Sequence, residues 1–427
     1  MKKFLAILIA IVAVFALAAC TVDEAGKTPA NTKAPTEDTT AAPGDATADP
    51  GDATVDYSKI KIGLICLHDE NSTYDANFIN AIKATAAKLG LKDSQVIIKT
   101  GIDESAACYD TAAEMADEGC KIVFADSFGH EPYMKQAAQE FPNVQFCHAT
   151  GTNAPTANIA NYHNAFASIY EGRYLAGIAA GMKLNEMISS GKITADQAKI
   201  GYVGAWPYAE VKSGFTSFFL GARSVCPTAT MDVVYTNSWF DIAKEKSAAE
   251  NLIASGCVLI SQHADSEGAP KACEAKGVPN VAYNIDTTPL GPTTALISSK
   301  INWEPYFELI IKAVVTGGTI PADYCGDFST GSVALTTLNS AVAAAGTQEA
   351  IDAAKAKMIA GELKVFDTST WTYKGETLTE YIADVIDAGD FVPETNVIHD
   401  GYFDESNAKT FRSAPYFDLI IDGITEK

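Results

Sequence analysis

The sequence predicts an α/β protein whose body folds as two successive halves, each with a parallel sheet and crossover helices. Two observations carry this prediction. Short β-branched or apolar runs alternate with longer helical patterns over residues 60–285, an order that favours parallel strands joined by helices. In addition, two similar phrases, "KIGLI" at 61–65 and "KIGYV" at 199–203, each precede a loop and a helix.

The first residues are predicted to lie outside this body. Lys2 and Lys3 precede the apolar run "FLAILIAIVAVFALAA", which is too short for a membrane span and is typical of a secretory signal peptide over residues 1–19. The run ends in "LAAC", which resembles the bacterial lipobox. That resemblance implies a diacylglycerol on Cys20 and a lipid-anchored protein on the extracytoplasmic face of the cell membrane. Plain secretion is the alternative.

Residues 21–58 are predicted to form a tether. They consist mainly of Ala, Thr, Pro, Gly and Asp, and "GDATADPGDATVD" at 44–56 nearly repeats itself. This composition buries too little apolar surface to offset the entropy of the chain. We therefore assign residues 20–58 to a lipidated cysteine and a flexible tether, and the folded body begins at residue 59.

The body alternates strands and helices in a regular order. In the first half, strands are predicted at 60–67, 95–100, 121–125 and 144–149, and helices at 75–89, 105–118 and 131–141. In the second half, strands are predicted at 199–206, 231–236, 258–263 and 280–285, and helices at 165–184, 211–225, 241–256 and 269–277. After Asp286 come a strand at 294–301 and a helix at 304–318, and the chain is predicted to cross back between the halves in this region. A strand-rich stretch at 331–338, a helix at 348–361 and an irregular tail complete the chain.

The net charge bears on the kind of partner that the chain binds, and the cysteines bear on whether disulfides hold the fold. The formal net charge is −22 at pH 7, which argues against nucleic-acid binding because phosphates would be repelled. Eight cysteines follow Cys20, with no C-x-x-C spacing, and most lie in apolar stretches such as "LIC" and "GCVLI". We expect buried reduced thiols, with one or two disulfides as the alternative.

The predicted sheets also select the loops that would hold a ligand. In open parallel sheets, ligands bind beyond the carboxyl ends of the strands. The loops at those ends are "HDENSTYDANF", "DSFGHEPY", "AWPYAEV", "TNSWFD", "QHADSEGA" and "NIDTTPLGP". Every loop contains an acidic residue, the first four also contain an aromatic ring, and "INWEPYF" adds Trp303. Rings to stack on and polar groups to bond an edge suit a flat small molecule.

Each candidate also has a purely structural interpretation. The carboxylates that equally fit a helix N-cap or first turn are Asp75, Asp241 and Asp265. The rings that equally fit core or interface packing are Trp206, Trp239 and Trp303. The site hypothesis therefore depends on the combination across the loops and not on any one residue.

Signatures of catalysis and of cofactor binding are absent from the sequence. It contains no G-x-x-x-x-G-K-[ST], G-x-G-x-x-G, G-x-S-x-G or H-E-x-x-H. The six histidines are scattered, and "DENSTYD" lacks the spaced glycine and the distal glutamate of an EF-hand. We therefore predict no metal site, no cofactor and no enzymatic activity.

Several stretches together resemble the basic membrane protein (BMP) family of substrate-binding lipoproteins of ABC importers. They are the lipobox, the first strand with its loop, "FADSFGHEPYMKQAAQEFPNVQFCHATGT", "EGRYLAGIAAGM", "GFTSFFLGARSV", "YTNSWFDIAKEKSAAENLIASG", "QHADS" and "NWEPYF". The resemblance covers residues 59 to about 361. It implies a type I periplasmic-binding-protein fold, in which two Rossmann-like lobes joined by three crossovers close around a purine nucleobase or nucleoside.

The resemblance also implies the division of the chain and its partners. The first lobe is predicted over 59–162 plus 293–323, and the second over 163–292 plus 324–427. The expected partners are the purine ligand, membrane lipid through Cys20 and an ABC permease, and we expect a monomer.

Roles for particular residues follow from the same resemblance. "STYDAN" takes the place of a loop that stacks a ring on the base, so Tyr74 takes the ring position and Asp75 or Asn77 the polar one. An aspartate that holds ribose hydroxyls in relatives matches Asp286, and a lysine that follows it matches Lys300. The neighbouring "INW" departs from that pattern, which leaves a free base such as adenine as an alternative ligand. The predicted ligand-binding residues are Tyr74, Asp75, Asn77, Asp126, Phe128, Trp206, Trp239, Asp265, Asp286 and Trp303.

Two other classes of function are the alternatives to import. One is a surface lipoprotein that uses the same two-lobed body to sense a ligand and signal to a partner. The other is a nucleoside hydrolase that acts through clustered aspartates.

Overall fold

The computed structural model describes residues 55–385, 396–405 and 412–427. The predicted signal peptide, Cys20 and the tether up to residue 54 lie outside the described residues. Among the helices that are described, none is both long enough and apolar enough to cross a membrane.

The elements are numbered in chain order. The strands are β1 (Ile62–Ile65), β2 (Val96–Lys99), β3 (Ile122–Ala125), β4 (Gln145–Ala149), β5 (Tyr162–Ala167), β6 (Lys199–Gly204), β7 (Thr230–Tyr235), β8 (Leu259–Gln262), β9 (Asn280–Tyr283), β10 (Ala295–Ile301), β11 (Asp323–Gly326), β12 (Val333–Leu335), β13 (Ile398–His399), β14 (Tyr402–Phe403) and β15 (Ile424–Glu426). The α-helices are α1 (Thr73–Leu89), α2 (Ala106–Asp117), α3 (Glu131–Glu140), α4 (Ala154–Ala157), α5 (Ile169–Ser189), α6 (Ala209–Val225), α7 (Ile242–Ala254), α8 (Gly268–Lys276), α9 (Glu304–Thr316) and α10 (Thr347–Ile359).

Two largely parallel sheets organise the body. The first sheet has the strand order β11-β5-β4-β3-β1-β2, and all of its pairings are parallel. The second has the order β12-β10-β9-β8-β6-β7-β15 and is parallel except between β10 and β12. Each sheet with the helices packed on it forms one lobe, as the alternation of strands and helices predicts.

The chain crosses between the sheets three times. It leaves the first sheet after β5 and enters α5, which packs against β10 of the second sheet. It returns after β10 through α9, which packs against α1, and it crosses again between β11 and β12. This is the predicted three-crossover arrangement.

The observed crossings lie elsewhere than the predicted lobe boundaries. The predicted first lobe includes 293–323, yet β10 pairs with β9 in the second sheet. The predicted boundaries at 162 and 323 also cut into β5 and β11, and both of these strands belong to the first sheet. The sequence of an apolar strand does not show which sheet the strand joins. The alternation of strands and helices therefore predicted the strands but not the points where the chain crosses between the sheets.

The cysteines lie where the sequence predicts. Seven of the eight that follow Cys20 are buried as free thiols. They pack as small apolar side chains in the cores of both lobes, as Cys147 does in β4 and Cys66 directly after β1.

Glycines bring α5 and α6 into close contact. A Cβ on Gly177 would lie 2.0 Å from the carbonyl oxygen of Phe218, and one on Gly221 would lie 2.0 Å from that of Tyr174. The stretches "YLAGIAAG" and "GFTSFFLGARSV" are therefore explained by helix packing, since only glycine leaves room for the facing backbone. This contact holds the first crossing helix against the second lobe.

We expect Gly177→Ala to destabilise the protein by about 1–3 kcal/mol, because the added methyl group has to displace backbone rather than a side chain. Urea unfolding followed by circular dichroism measures the loss. Ser189→Thr adds a methyl group at an exposed position of the same helix and should change stability by less than about 0.5 kcal/mol. Equal effects of the two substitutions would contradict the packing argument.

A buried carboxyl group anchors the C-terminal segment. Glu405 is 2% exposed and accepts hydrogen bonds from the Tyr416 amide at 3.2 and 3.3 Å. Burial raises the pKa of Glu405 to about 8. Downstream, β15 pairs in parallel with β7 at the edge of the second sheet. The end of the chain is thus part of the second lobe.

The raised pKa of Glu405 makes stability depend on pH. The folded protein holds a proton that the unfolded chain releases above about pH 4.3, so this stabilisation is present at pH 4 and is lost as the pH rises to about 8. We expect Glu405→Gln to remove the effect. Unfolding free energies of the two proteins between pH 5 and 8 should then diverge, with the wild type losing on the order of 1 kcal/mol more per pH unit. The exposed Glu349 gives the control Glu349→Gln, and a Glu405→Gln profile parallel to the wild type would contradict the assignment.

Candidate ligand-binding site

A chamber lies between the two sheets at the carboxyl ends of their strands, and we call it the inner chamber. From the first lobe it is lined by Leu67, His68, Tyr74, Asp75, Ser127, Phe128 and Thr150, and from the second by Glu210, Trp239, His263, Asp265 and Tyr283. In this closed arrangement the space left for the centre of a water-sized sphere is about 20 Å³, room for about one water molecule, so a larger ligand has to displace side chains or separate the lobes. The lining comes from the loops after β1, β3, β4, β7 and β8, from the last residue of β9 and from the first turns of α1 and α6, as the strand-end rule predicts.

Tyr74 lies in the first turn of α1 and contributes its ring to the inner chamber. Its hydroxyl group donates to the carbonyl oxygen of Asp126 at 2.8 Å, and its ring meets that of Phe78 edge-on at 4.9 Å. These two contacts hold the Tyr74 ring in position in the absence of a ligand. The predicted stacking position is available to a ligand.

Asp75 lies in the first turn of α1, beside the N-cap residue Ser72, and lines the chamber. Its carboxylate accepts from the His68 amide at 2.8 Å and from the Ser72 hydroxyl at 2.5 Å, and the Asp75 amide donates back to Ser72. Burial acts to raise the pKa of Asp75, but the bonds from His68 and Ser72 outweigh it, and the pKa is lowered. The side chain is therefore an ionised acceptor. The carboxylate thus lies both in the first turn of α1 and in the chamber wall.

Asp126 lies behind Tyr74 and Asp75 rather than in the chamber wall. One of its oxygens accepts from the Leu67 amide at 3.2 Å, and the other has no hydrogen-bond partner among the described residues. Burial and the charge of Asp75 raise the pKa of Asp126 well above its usual range. The group is a protonated acid that can donate a hydrogen bond.

Cys66, Asp75 and Asp126 each offer an atom within 4.8 Å of the others, which is the spacing of metal ligands. Burial raises the pKa of the Cys66 thiol as well as that of the Asp126 carboxyl. A metal needs deprotonated ligands, and two of these three groups hold their protons. The cluster fits the sharing of a proton between carboxyl groups better than it fits a metal ion.

Asp265 lines the chamber from the opposite lobe. Its side chain accepts from the Asn284 amide group at 3.2 Å, and its backbone carbonyl accepts from the Thr73 amide at 2.8 Å. Burial, followed by the charge of Glu245, raises the pKa of Asp265 well above its usual range. Because Thr73 belongs to α1, the backbone bond joins the two lobes across the cleft.

A chain of three polar side chains orients one carboxylate of the chamber. Arg173 on α5 donates to Nδ1 of His263 at 3.1 Å, and since arginine has no acceptor, His263 must be neutral with its proton on Nε2. That proton faces Glu210 at 3.4 Å. Burial, followed by the charge of Arg173, lowers the pKa of His263 to about 4. The Glu210 carboxylate is thus held at the first turn of α6.

None of these three residues is among the ligand-binding residues predicted from the sequence. His263 and Glu210 lie in selected loops, "QHADSEGA" and "AWPYAEV", but neither was singled out. Arg173 lies in the middle of a helical pattern, and its guanidinium covers the Tyr283 ring at 3.5 Å. The signal that was available is an arginine that directly precedes the apolar run "YLAGIAAG" of a predicted helix, since a charge buried there needs a partner.

Aromatic rings close the mouth of the chamber. Phe128 of the first lobe meets Tyr208 of the second at 5.6 Å, and Tyr208 lies 6.0 Å from Trp206 and 6.1 Å from Trp239. Phe128 and Trp239 reach the inner chamber, whereas Trp206 lines a wider depression outside it. Two of these predicted rings therefore lie in the chamber wall and one lies at its entrance.

Four positions singled out in the sequence lie away from the inner chamber. Asn77 donates to the carbonyl oxygen of Ile301 at 2.7 Å and ties α1 to the second crossing. Asp286 is exposed and accepts from the Thr288 amide at 2.9 Å, as turn aspartates do. Trp303 is 2% exposed and stacks on Phe78 at 4.4 Å in the core. Lys300, in β10, is also absent from the chamber lining.

Comparisons with known proteins agree on the family. Residues 67–368 match the family model Bmp, described as "ABC transporter substrate-binding protein PnrA-like". The chain is 34% identical over 262 residues to a purine-binding protein of Brucella abortus, covering 61% of this chain and 70% of that protein. It is also 34% identical over 210 residues to a putative ABC transporter glucose-binding protein of Haloferax volcanii, covering 49% of this chain and half (50%) of that protein's length.

A solved structure shares the fold. An ABC transporter solute-binding protein from Conexibacter woesei superposes with a TM-score of 0.59 at 20% identity, covering 71% of this chain and 98% of the other. The predicted type I fold is confirmed. The family consists of extracytoplasmic substrate-binding proteins of ABC transporters rather than enzymes. The resemblance read from the sequence is confirmed by the family match: this chain belongs to the Bmp family of PnrA-like ABC transporter substrate-binding proteins.

Proposed function

We propose that this protein captures a purine base or nucleoside in the inner chamber and delivers it to an ABC permease as a monomer. The observation that carries the proposal is the pairing of ring faces with carboxyl groups in one small chamber. The rings are those of Tyr74, Phe128 and Trp239, and the carboxyl groups are those of Asp75, Glu210 and Asp265. A flat heterocycle with a polar edge is the ligand class that uses both.

The protonation states favour a ligand edge that both donates and accepts. Asp75 is ionised and accepts only, whereas the raised pKa of Asp265 keeps a proton that can be donated. A purine edge carries ring nitrogens that accept and N–H or amino groups that donate. Closing the lobes removes water from these hydrogen bonds, which strengthens them.

A sugar is the second candidate ligand. The Haloferax relative is named as a putative glucose-binding protein, and carboxylates also bond sugar hydroxyls. The purine is favoured because three rings line the chamber, and stacking rewards a flat ligand more than a puckered one.

Calorimetry on the purified body should give dissociation constants between about nanomolar and micromolar for at least one of adenine, inosine and guanosine. Tyr74→Ala should weaken that binding by about 1–3 kcal/mol, because it removes a stacking face. Tyr109 is a half-buried tyrosine on α2, outside the chamber, so Tyr109→Ala serves as the control and should leave the affinity unchanged. A heat of binding with glucose and none with any of the three purines would contradict the proposal.

Delivery to a permease requires the protein to stay at the membrane, and we propose Cys20 as the lipid anchor. The support is the "LAAC" sequence after an apolar run. A body on a lipidated tether would sample the membrane surface without a transmembrane helix.

When the full-length chain is expressed with its leader in a bacterial host, it should partition into the detergent phase of a Triton X-114 extract, and Cys20→Ala should move it to the aqueous phase. The acyl chains account for this shift, at roughly 0.8 kcal/mol per buried methylene. Cys226 is a buried thiol elsewhere in the chain, so Cys226→Ala should leave the partition unchanged. Detergent partition of Cys20→Ala equal to that of the wild type would rule out this anchor.

A further inference from the structure

A short stretch near the C-terminus contacts both lobes, and we call residues 412–415 the strap. It lies beyond residue 368, where the match to the family model ends. Ser413 is buried and donates its amide to one oxygen of Asp323 at 2.7 Å and its hydroxyl to the other. Asp323 begins β11, an edge strand of the first sheet. One serine thus attaches the strap to the first lobe.

The residues that follow the strap are attached to the second lobe. From α6, Lys212 donates to the carbonyl oxygen of Asp418 at 3.4 Å and Arg223 donates to that of Asp422 at 3.1 Å. Further on, β15 pairs with β7. This attachment extends over several residues, whereas the first-lobe attachment consists of the two Ser413 bonds. When the lobes separate, the Ser413 bonds are therefore the ones that break.

The strap has little slack between its two attachments. Ser413 is followed by Ala414 and Pro415 and then by Tyr416, which is fully buried. Arg412 donates to the carbonyl oxygens of Ala414 and Pro415 at 3.1 and 2.8 Å and so fixes a compact turn. The ring of Pro415 also fixes its own φ. The turn cannot lengthen without losing its hydrogen bonds, so it cannot follow the first lobe through an opening movement.

The strap is packed into the edge of the cleft. It lines a hollow together with Phe128 and Thr150 of the first lobe and Tyr208 and Glu210 of the second. The space left there for the centre of a water-sized sphere is about 20 Å³, room for about one water molecule. The strap therefore fills the gap between the lobes in their closed arrangement.

The first-lobe attachment lies at a distance from the crossings. Asp323 is the first residue of β11, and the third crossing follows Gly326 at the end of that strand. At about 3.3 Å per residue, roughly 10 Å of strand separates the two points. A rotation of the lobes about the crossings therefore moves Asp323 away from the strap.

We propose that the strap is a latch, in which the bonds from Ser413 to Asp323 hold the lobes together without a ligand and break when the lobes separate. This inference goes beyond the proposed function, because it does not depend on which ligand the chamber takes. The closed inner chamber leaves room for about one water molecule. The latch therefore opposes the entry of any ligand that needs the lobes apart.

The Thr73 amide reports whether the lobes are together. It donates across the cleft to the carbonyl oxygen of Asp265 at 2.8 Å. As the first residue of α1, it has no acceptor within its own helix. Its exchange with solvent deuterium therefore measures separation of the lobes. The amides of β3, in the middle of the first sheet, exchange only when that lobe itself opens.

Hydrogen–deuterium exchange on the ligand-free protein, resolved to single residues, tests the latch. Ser413→Ala removes one of the two bonds and should speed exchange at Thr73 by at least about threefold. Asp323→Ala removes both bonds and should speed it by about tenfold or more. Exchange in β3 should stay within about twofold of the wild type in both variants.

Tyr235→Phe is the matched control. The Tyr235 hydroxyl donates to Glu426 at 2.6 Å and ties the C-terminal segment to the second lobe alone, so its loss should leave exchange at Thr73 within about twofold. Unchanged exchange at Thr73 in both latch variants would overturn the proposal. Equal acceleration at Thr73 and in β3 would also overturn it, because the first lobe would then have lost stability as a whole. Unprotected exchange at Thr73 in the wild type would show that nothing holds the lobes together.

Discussion

The hydrogen bond from the Thr73 amide to the carbonyl oxygen of Asp265 joins the two lobes at the site itself. Each sheet alone presents a row of loops at its strand ends, which is an open surface rather than a pocket. With this bond formed, Tyr74 and Asp75 face His263 and Asp265 across one chamber. The three crossings make such an approach possible, because they connect the lobes without filling the space between the strand ends.

The approach of the two lobes also brings acidic groups close together, and these groups differ in their protonation states. Asp75 stays ionised because three hydrogen-bond donors surround it. Asp126 and Asp265 keep their protons because burial and neighbouring carboxylates disfavour a second charge. Arg173 adds a fixed cation behind His263. The site can therefore present hydrogen-bond donors as well as acceptors to a ligand, although the whole chain has a formal net charge of −22.

Hydrophobic periodicity and the positions of the strand ends predicted most of the fold and part of the candidate site. Regular alternation located the strands and helices, and the strand-end rule selected the loops that hold Tyr74, Phe128, Trp239 and Asp265. It could not tell Trp239 from Trp303, because both are tryptophans near strand ends and only packing separates a wall from a core.

The sequence pattern could not identify residues whose role depends on partners that are distant in sequence. Arg173 and Glu210 are far apart in sequence, and His263 links them only after α5, α6 and β8 have packed. The same holds for Ser413, which is distant in sequence from Asp323 of β11 and bonds it through both its amide and its hydroxyl. Asp286 shows the reverse error, since a matching motif does not fix the direction in which a turn points its side chain.

The cap of α1 joins folding and recognition in one group of atoms. Ser72 is the N-cap of a 17-residue helix and donates its hydroxyl to Asp75 in the first turn, and the same Asp75 carboxylate lines the inner chamber. A substitution there would shorten the helix and alter the chamber together. Natural variation in ligand choice therefore has more freedom at Trp239 or Thr150, which cap no helix, than at Asp75, which bonds the N-cap residue of α1.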